Sequence, residues 1–301
     1  MQSKSPQAAK SQERVQPASA CIVGCGLIGV SFAMSLKRAF PEIRLVGVDV
    51  NATHLTLAQG KGVFDHLAPQ FPEEEETFQL GILAVPPSVA ENLLLDLAER
   101  CDVVMDVCSI KGPLCQRAED LGLGERFAPS HPMAGIASEG PKNADGELFR
   151  GNPWILLKNW PACKRVEGIV AATGASLVWL EDAKAHDAAM AAVSHGIHVT
   201  SLSAMLAYDE ARESLAGPAP NVAMARVTGP GFRDITRLAD SPSGFWVDTL
   251  LANRVAVMEQ IQRTQNSLQA FKDALLREDE DTLRGLLNAA RAARERWREE
   301  H

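Results

Sequence analysis

The sequence predicts an α/β domain with a doubly wound parallel sheet, followed by an all-helical dimerisation domain. Three observations lead to this prediction. Apolar strands alternate with periodic helices over the first 180 residues, a glycine-rich turn joins the first strand to the first helix, and β-branched runs then disappear. Such alternation is typical of a parallel sheet covered on both faces. We expect residues 1–18 to form a disordered tail, 19–180 the α/β domain and 181–301 the helical domain.

The elements of the α/β domain follow from short apolar runs and helical periodicity. Apolar runs bounded by turn residues predict strands at Ala20–Gly24, Arg44–Val50, Leu80–Val85, Asp102–Val107, Arg126–Pro129, Trp154–Leu157 and Ser176–Leu180. Helical patterns predict helices at Leu27–Phe40, Thr53–Gln59 and Val89–Arg100. The stretch Phe71–Thr77 contains four consecutive glutamates, which indicates a solvated turn.

The C-terminal part of the sequence is predicted to be helical. Asp182–Ser214 forms a long, largely apolar helix that we expect to be buried, and Gly217–Pro220 interrupts the pattern. Further helices are predicted at Ser243–Leu276 and Glu280–Glu299. Since Asp182–Ser214 is apolar on more faces than the remaining helices can cover, we expect a homodimer built on this domain.

Composition restricts the classes of partner and the compartment. A net charge of −8 and a pI near 5.5 argue against nucleic acid or an anionic membrane surface, so an anionic substrate would need local cations. The six cysteines form no CxxC pair, which favours buried thiols in a reducing compartment. The first eighteen residues lack the apolar core of a signal peptide, and no run of eighteen apolar residues occurs, so we expect a cytoplasmic protein.

A dinucleotide-binding motif opens the first helix. Gly24-Cys25-Gly26-Leu27-Ile28-Gly29 has the spacing GxGxxG directly after a strand, which is typical of a Rossmann-type domain. Gly24 would permit the tight turn, Gly26 would let the backbone approach a pyrophosphate, and Gly29 would allow close helix–strand packing. The helix N-terminus at Leu27 and Ile28 would offer amide groups to the phosphates.

The second strand ends on an acidic residue that bears on the choice of cofactor. Asp49 lies twenty residues after Gly29, where a carboxylate accepts the ribose hydroxyls of a bound dinucleotide. A carboxylate repels a 2′-phosphate, and the next residues, Val50 and Asn51, supply no cation. The sequence therefore predicts NAD rather than NADP.

Polar residues after the fourth and fifth strands are candidates for the chemistry. Ser109 and Lys111 follow the fourth strand; the serine could donate to a substrate or nicotinamide oxygen while the lysine is solvated, or both residues could only cap the next helix. His131 follows the fifth strand and precedes a proline, and its side chain suits proton transfer near neutral pH.

The helical domain contains a second group of candidates. His195 and His198 lie three residues apart on the long helix, and each is either a ligand-binding residue or a hydrogen-bonded core residue. They lack a persuasive third ligand, so we expect no metal site. Arg233 and Arg237 lie among apolar neighbours and suit bidentate carboxylate binding, the alternative being a salt bridge to Asp234 or Asp187.

These motifs together resemble the prephenate/arogenate dehydrogenase family of tyrosine biosynthesis. The similarity runs from Cys21 to about Arg254 and includes the segments Ser130–Gly135, Gly146–Trp154, Ser194–His198 and Phe232–Ala239. The resemblance implies NAD(P)-dependent oxidative decarboxylation and dimerisation through the helical domain. By position, His131 matches the catalytic histidine that bonds the ring hydroxyl, and Ser109 matches the serine that assists it.

The resemblance also implies the residues that bind substrate. His198 and Arg237 match substrate-binding positions, with Arg237 taking a carboxylate, and Trp246 matches an aromatic residue near the pocket. Ile197 stands where the family usually has proline, which predicts a straighter helix next to His198.

Prephenate and arogenate are both open as substrates, and two further readings compete with them. A β-hydroxy acid dehydrogenase would need a lysine-centred site, and Lys184 is the only lysine in the long helix. A non-catalytic NAD-sensing module would need the glycine turn without a proton acceptor or a carboxylate clamp.

Overall fold

The computed structural model describes residues 16–71, 76–134, 140–214, 224–241 and 243–300. Most of the predicted tail, the predicted break at Gly217–Pro220 and most of the glutamate turn lie outside these residues. The chain divides into two compact units. The first contains the described residues up to Asp187 together with Ser243–Ala252, and the second contains those of Ala188–Pro242 and Asn253–His301.

A six-stranded parallel sheet forms the centre of the first unit. Its strands are β1 (Ser19–Val23), β2 (Arg44–Val48), β3 (His66–Ala68), β4 (Phe78–Leu83), β5 (Cys101–Asp106) and β6 (Phe127–Ala128), in the order β3-β2-β1-β4-β5-β6. The helices that accompany this sheet are α1 (Leu27–Ala39), α2 (Ala52–Gln59), α3 (Pro87–Arg100) and α4 (Gly112–Asp120). This order is that of a dinucleotide-binding sheet, so the predicted fold class is confirmed.

A small second sheet follows the large one. It contains β7 (Ser130–Pro132), β8 (Pro153–Leu157) and β9 (Ser176–Leu180), with β7 antiparallel and β9 parallel to β8, and α5 (Ala162–Ala172) between β8 and β9. The strand predicted at Arg126–Pro129 is present as the two-residue β6, and a further short strand, β7, follows it. Pro129 lacks a backbone N–H and separates two short strands that belong to different sheets.

An aromatic cluster fills the first unit beside α1. The ring of Phe32 lies 5.1 Å from Trp154 and 6.0 Å from Phe149, and Trp154 is fully buried. The indole N–H of Trp154 donates to Ser130 Oγ over 3.1 Å, which ties β8 to the residue before His131. The core thus fixes the strand that carries one of the candidate residues.

Helices make up the second unit and the segments that join it to the first. They are α6 (Ala183–Met190), a π-helical turn (Ala191–His195), α7 (Gly196–Ser214), α8 (Pro230–Thr236), a 3₁₀ turn (Arg237–Asp240), α9 (Ser243–Ala252), α10 (Arg254–Leu276) and α11 (Glu280–Glu299). Two predicted helices are thus interrupted, at the π turn and at Asn253.

The long apolar helix is not buried as predicted. Val193, Ile197 and Leu206 are 62%, 50% and 71% exposed, because its apolar residues point in more directions than the described helices of this chain cover. The stretch Ala183–Ser214 is also long and apolar enough to cross a membrane, a criterion that core helices of soluble proteins meet as well.

Candidate active site

The glycine turn between β1 and α1 has the geometry of a dinucleotide cradle. Gly24 adopts a φ of 100°, and a Cβ there would lie 2.2 Å from the Ala84 carbonyl oxygen. A Cβ on Gly29 would lie 2.0 Å from the Gly24 carbonyl oxygen. A Cβ on Gly26 would meet nothing within 4 Å. The first and third glycines are therefore required by packing, whereas the second borders the open space that a pyrophosphate needs.

The N-terminus of α1 is electrostatically suited to phosphate. Gly26 precedes the helix without a side-chain cap, and the first turn contains no acidic residue. The Val30 amide bonds the Gly26 carbonyl, so the earlier amides at Leu27, Ile28 and Gly29 have no partner within the helix. Unsatisfied amides and the helix dipole favour an anion at this position.

Asp49 lies directly beyond β2 and is bonded to the glycine turn. Its carboxylate accepts the amides of Cys25 and Asn51, each over 2.8 Å, and lies 3.1 Å from His54 Nδ1. A carboxylate offers about four acceptor sites, so ribose hydroxyls can still bond to it. Sequence reasoning considered only Val50 and Asn51 as neighbours of Asp49 and missed His54. The position of His54 in the first turn of the helix after Asp49 could have indicated this contact.

Ser109 and Lys111 follow β5 but have different environments. Among the described residues, the buried Ser109 Oγ has no hydrogen-bond partner, as expected of a group that meets a ligand. Lys111 is 1% exposed, so the reading of it as solvated was wrong. Its ammonium pairs with Asp106 and donates to the Ser130 carbonyl over 2.7 Å. Burial alone would lower the pKa of Lys111, but Asp106 reverses this and raises it.

His131 follows β6, as predicted, but it lies within a further short strand, β7. It pairs with Ile155 of β8 and is 9% exposed. Its Nδ1 lies 3.0 Å from Nε2 of His186, and His186 Nδ1 lies 2.7 Å from Asp187 Oδ1. The sequence did not predict this contact, because nothing in the local pattern indicates that residues fifty-five positions apart meet.

His195 and His198 of the second unit differ in their surroundings. His195 lies in the π turn, and its Nδ1 is 3.0 Å from Asn253 Nδ2, which confirms the core alternative for this residue. His198 lies on α7 and is 1% exposed, and burial lowers its pKa. The helix α7 begins at Gly196, directly after the π turn, and continues through Ile197. The straighter helix expected from Ile197 stays a prediction.

Two arginines of the second unit, Arg233 and Arg237, are available for an anion. Arg237 is exposed in the 3₁₀ turn, and neither it nor Arg233 forms an ion pair among the described residues. The salt-bridge alternative is therefore not observed; Asp187 is instead bonded to His186 and to backbone amides. Trp246 is half-buried on α9, in the first unit.

The thiols do not contribute a reactive group. All six cysteines are buried and unpaired with one another, and burial raises the pKa of every one of them. Within the described ranges, no three His, Cys, Asp or Glu side chains are arranged to hold a metal ion.

Two family models match the chain in succession. Residues 32–178 match the nucleotide-binding domain of prephenate dehydrogenase, and residues 182–289 match the dimerization domain of prephenate dehydrogenase. The two matches meet close to the point where strands give way to helices.

Individual proteins show the same similarity over most of the chain. Prephenate dehydrogenase of Lactococcus lactis is 28% identical over 87% of this chain and 72% of its own length. That of Bacillus subtilis is 27% identical over 87% and 71%. The crystal structure of prephenate dehydrogenase from Aquifex aeolicus, in complex with hydroxyphenyl propionate and NAD+, is 27% identical, with a TM-score of 0.82 over 92% of this chain and 97% of that one.

Proposed function

Because the chain belongs to the prephenate dehydrogenase family, we propose that it catalyses the NAD-dependent oxidative decarboxylation of prephenate to 4-hydroxyphenylpyruvate in tyrosine biosynthesis. The observation that carries the proposal is the position of His131. This histidine is held in β7 by a side-chain partner, in the same compact unit as the glycine turn and Asp49. A cradle for the cofactor and a fixed proton acceptor are the two requirements of an alcohol oxidation.

The glycine turn and Asp49 would hold NAD. The amides at the start of α1, at Leu27, Ile28 and Gly29, would bind the pyrophosphate, and the Asp49 carboxylate would accept the ribose hydroxyls. When bound, NAD supplies the nicotinamide carbon that accepts a hydride. The open space beside Gly26 and the buried hydroxyl of Ser109, which has no partner among the described residues, fit this occupant.

His131 would act as the base. Its Nδ1 faces His186, so the ring accepts the proton of the substrate hydroxyl at Nε2 as hydride leaves the same carbon. Ser109 would donate to the oxygen on which the ketone forms. Loss of carbon dioxide then follows from the aromatisation of the ring, which needs no metal.

Residues of the helical part would bind the substrate. Arg237 would hold a carboxylate through its planar guanidinium group, and His198 and Trp246 would line the substrate. The relatives named as prephenate dehydrogenases favour prephenate over arogenate. The helical unit would also join two chains in a homodimer, since its exposed apolar residues need a cover, and we propose that the dimer acts in the cytoplasm.

A steady-state comparison tests this function. Formation of reduced cofactor is followed with prephenate or arogenate, each with NAD or NADP. We expect turnover with prephenate and NAD to have the largest kcat/KM. A larger kcat/KM with arogenate would show that arogenate is the substrate, and a larger kcat/KM with NADP would show that NADP is the cofactor. Cofactor binding without turnover of either substrate would indicate a sensing module and overturn the proposed activity.

A further inference from the structure

Behind His131 lies a buried chain of hydrogen bonds that ends on a carboxylate. His131 Nδ1 is 3.0 Å from His186 Nε2, and His186 Nδ1 is 2.7 Å from Asp187 Oδ1. His186 is fully buried, and the two imidazole rings are 5.2 Å apart between centroids. A buried imidazole flanked on both sides by titratable groups is a feature that the proposed reaction does not by itself use.

Backbone amides fix Asp187 as an anion. Asp187 Oδ1 accepts the amide of Lys111, and Oδ2 accepts the amide of Gly112, each over 2.8 Å. Both amides belong to the start of α4, where the helix dipole favours negative charge. Burial alone would raise the pKa of Asp187, but the hydrogen bonds from His186 and from these amides outweigh it, so the pKa is lowered.

An ionised Asp187 determines the protonation of both imidazoles. A carboxylate only accepts hydrogen bonds, so the proton of His186 resides on Nδ1 and leaves its Nε2 as an acceptor. His131 must then donate from Nδ1. Burial lowers the pKa of His186, which keeps that ring neutral and preserves this order.

From this geometry we propose that His186 and Asp187 are positioning residues that orient His131 and stabilise its protonated form. The inference rests on the proposed role of His131 as base. During oxidation the hydroxyl proton would pass to His131 Nε2, the O–H electron pair would form the carbonyl, and the hydride would leave to the nicotinamide. His131 would keep its Nδ1 proton in the bond to His186, and no proton would pass on to Asp187.

The charged groups around His186 favour a positive charge on His131. The groups facing it are His131 on β7, Asp187 on its own helix, and Asp106 and Lys111 at the end of β5 and beyond. Asp106 and Lys111 pair with each other, so their charges largely cancel. Asp187 is then the uncompensated charge at the far end of the chain, and it favours a positive charge on His131.

The test is the variant His186→Phe, which keeps a planar aromatic ring at this position and removes both hydrogen bonds. We expect kcat to fall about 10- to 100-fold, the effect of losing a hydrogen bond to a charged group. The acidic limb of the kcat/KM profile should move to lower pH, because protonated His131 loses its stabilising partner. NAD affinity should stay unchanged, since the glycine turn and Asp49 are untouched.

A double variant separates positioning from simple structural support. If His186 acts through His131, then His131→Asn combined with His186→Phe should be no slower than His131→Asn alone. If the double variant loses kcat by the product of the two single effects, the proposal is overturned. It is also overturned if the acidic limb of the kcat/KM profile does not move in His186→Phe. If His131→Asn by itself retains activity, the proposed base is wrong instead, so the two failures are distinguishable.

Two further variants keep the test decisive. His186→Gln can accept from His131 and donate to Asp187, so it should recover part of the activity that His186→Phe loses. It also serves if the phenylalanine variant fails to fold; a folded glutamine variant with a lowered kcat and an unmoved acidic limb would contradict the proposal. His195→Phe is the matched control, because His195 is a buried, hydrogen-bonded histidine of the other unit, and its acidic limb should not move.

Discussion

The two units of this molecule bury their apolar side chains to very different extents. Nearly all fully buried apolar residues of the described chain belong to the first unit, whereas the second contributes Met190, Ala191, Val257 and Ala274. Large apolar side chains on α7 and α10 of the second unit remain exposed, among them Leu206, Val255 and Met258, the last two each by 66%. The first unit therefore buries a complete core within one chain, although Val247 and Leu251 on its helix α9 are exposed, and the second unit does not.

This difference indicates which unit determines each part of the function. The glycine turn, Asp49 and the chain from His131 to Asp187 are held by contacts within one compact unit. Arg237 and His198 belong to the unit whose apolar surface lacks a cover in the single chain. We therefore expect chemistry and cofactor binding to depend on local residues, and substrate binding to depend also on assembly.

The largest expected effect follows from removing the base in the complete unit. His131→Asn should lower kcat by ~10²–10⁴-fold, the usual contribution of a positioned general base, because no imidazole remains to accept the proton. NAD affinity, measured by titration of protein fluorescence, should stay near that of the unmodified protein. A variant that keeps most of its activity would show that the base lies elsewhere, and His198 would be examined next.

The second prediction tests whether the incomplete unit needs a partner. Met258→Glu should turn a dimer of twice the 32.5 kDa chain into a monomer in sedimentation experiments, because a symmetric interface would bury the new charge twice. We expect the dissociation constant to rise about 100-fold, roughly tenfold for each buried carboxylate. Leu95→Glu on α3, where Leu95 is 37% exposed, is the matched control and should stay dimeric. If the unmodified protein is a monomer at micromolar concentration, the second unit does not need a partner chain and the prediction is wrong.

Sequence reasoning succeeded where a residue's own backbone or neighbours specify the structure. Gly24 and Gly29 are required by a left-handed φ and a close approach, and both requirements are local. Ser109 lies just beyond β5, where the predicted fourth strand placed it, and its role stays a prediction. The strand β3 was missed because three residues are too few to show a pattern.

What the sequence could not predict depends on contacts between distant residues. His131 and His186 are far apart along the chain, and only folding shows that they meet. Lys111 is buried because Asp106 compensates its charge, a pairing that no helical or strand spacing signals. The burial of Asp182–Ser214 was predicted wrongly because an apolar sequence does not reveal whether its cover lies in the same chain.

The third prediction concerns carboxylate binding in the second unit. Arg237→Lys keeps the charge but loses the planar fork, so the KM for prephenate should rise about tenfold while kcat changes less. Arg233→Lys provides the matched control, since both arginines are exposed and neither forms an ion pair among the described residues. If the KM rises in Arg233→Lys and not in Arg237→Lys, Arg233 is the residue that binds the carboxylate.

The smallest expected effect concerns the choice between NAD and NADP in the first unit. Asp49→Asn keeps an oxygen for the Cys25 amide and removes the charge that would repel a 2′-phosphate. The ratio of kcat/KM for NAD to that for NADP should therefore fall about tenfold, equivalent to ~1.4 kcal/mol. His54→Asn is the control, because it alters the neighbour of Asp49 but leaves the carboxylate, so the preference for NAD should persist. The association state should not change in either variant, since both residues lie in the unit that is complete within one chain. An unchanged ratio in Asp49→Asn would mean that other groups select the cofactor, and a loss of preference in His54→Asn would assign the selection to the pair.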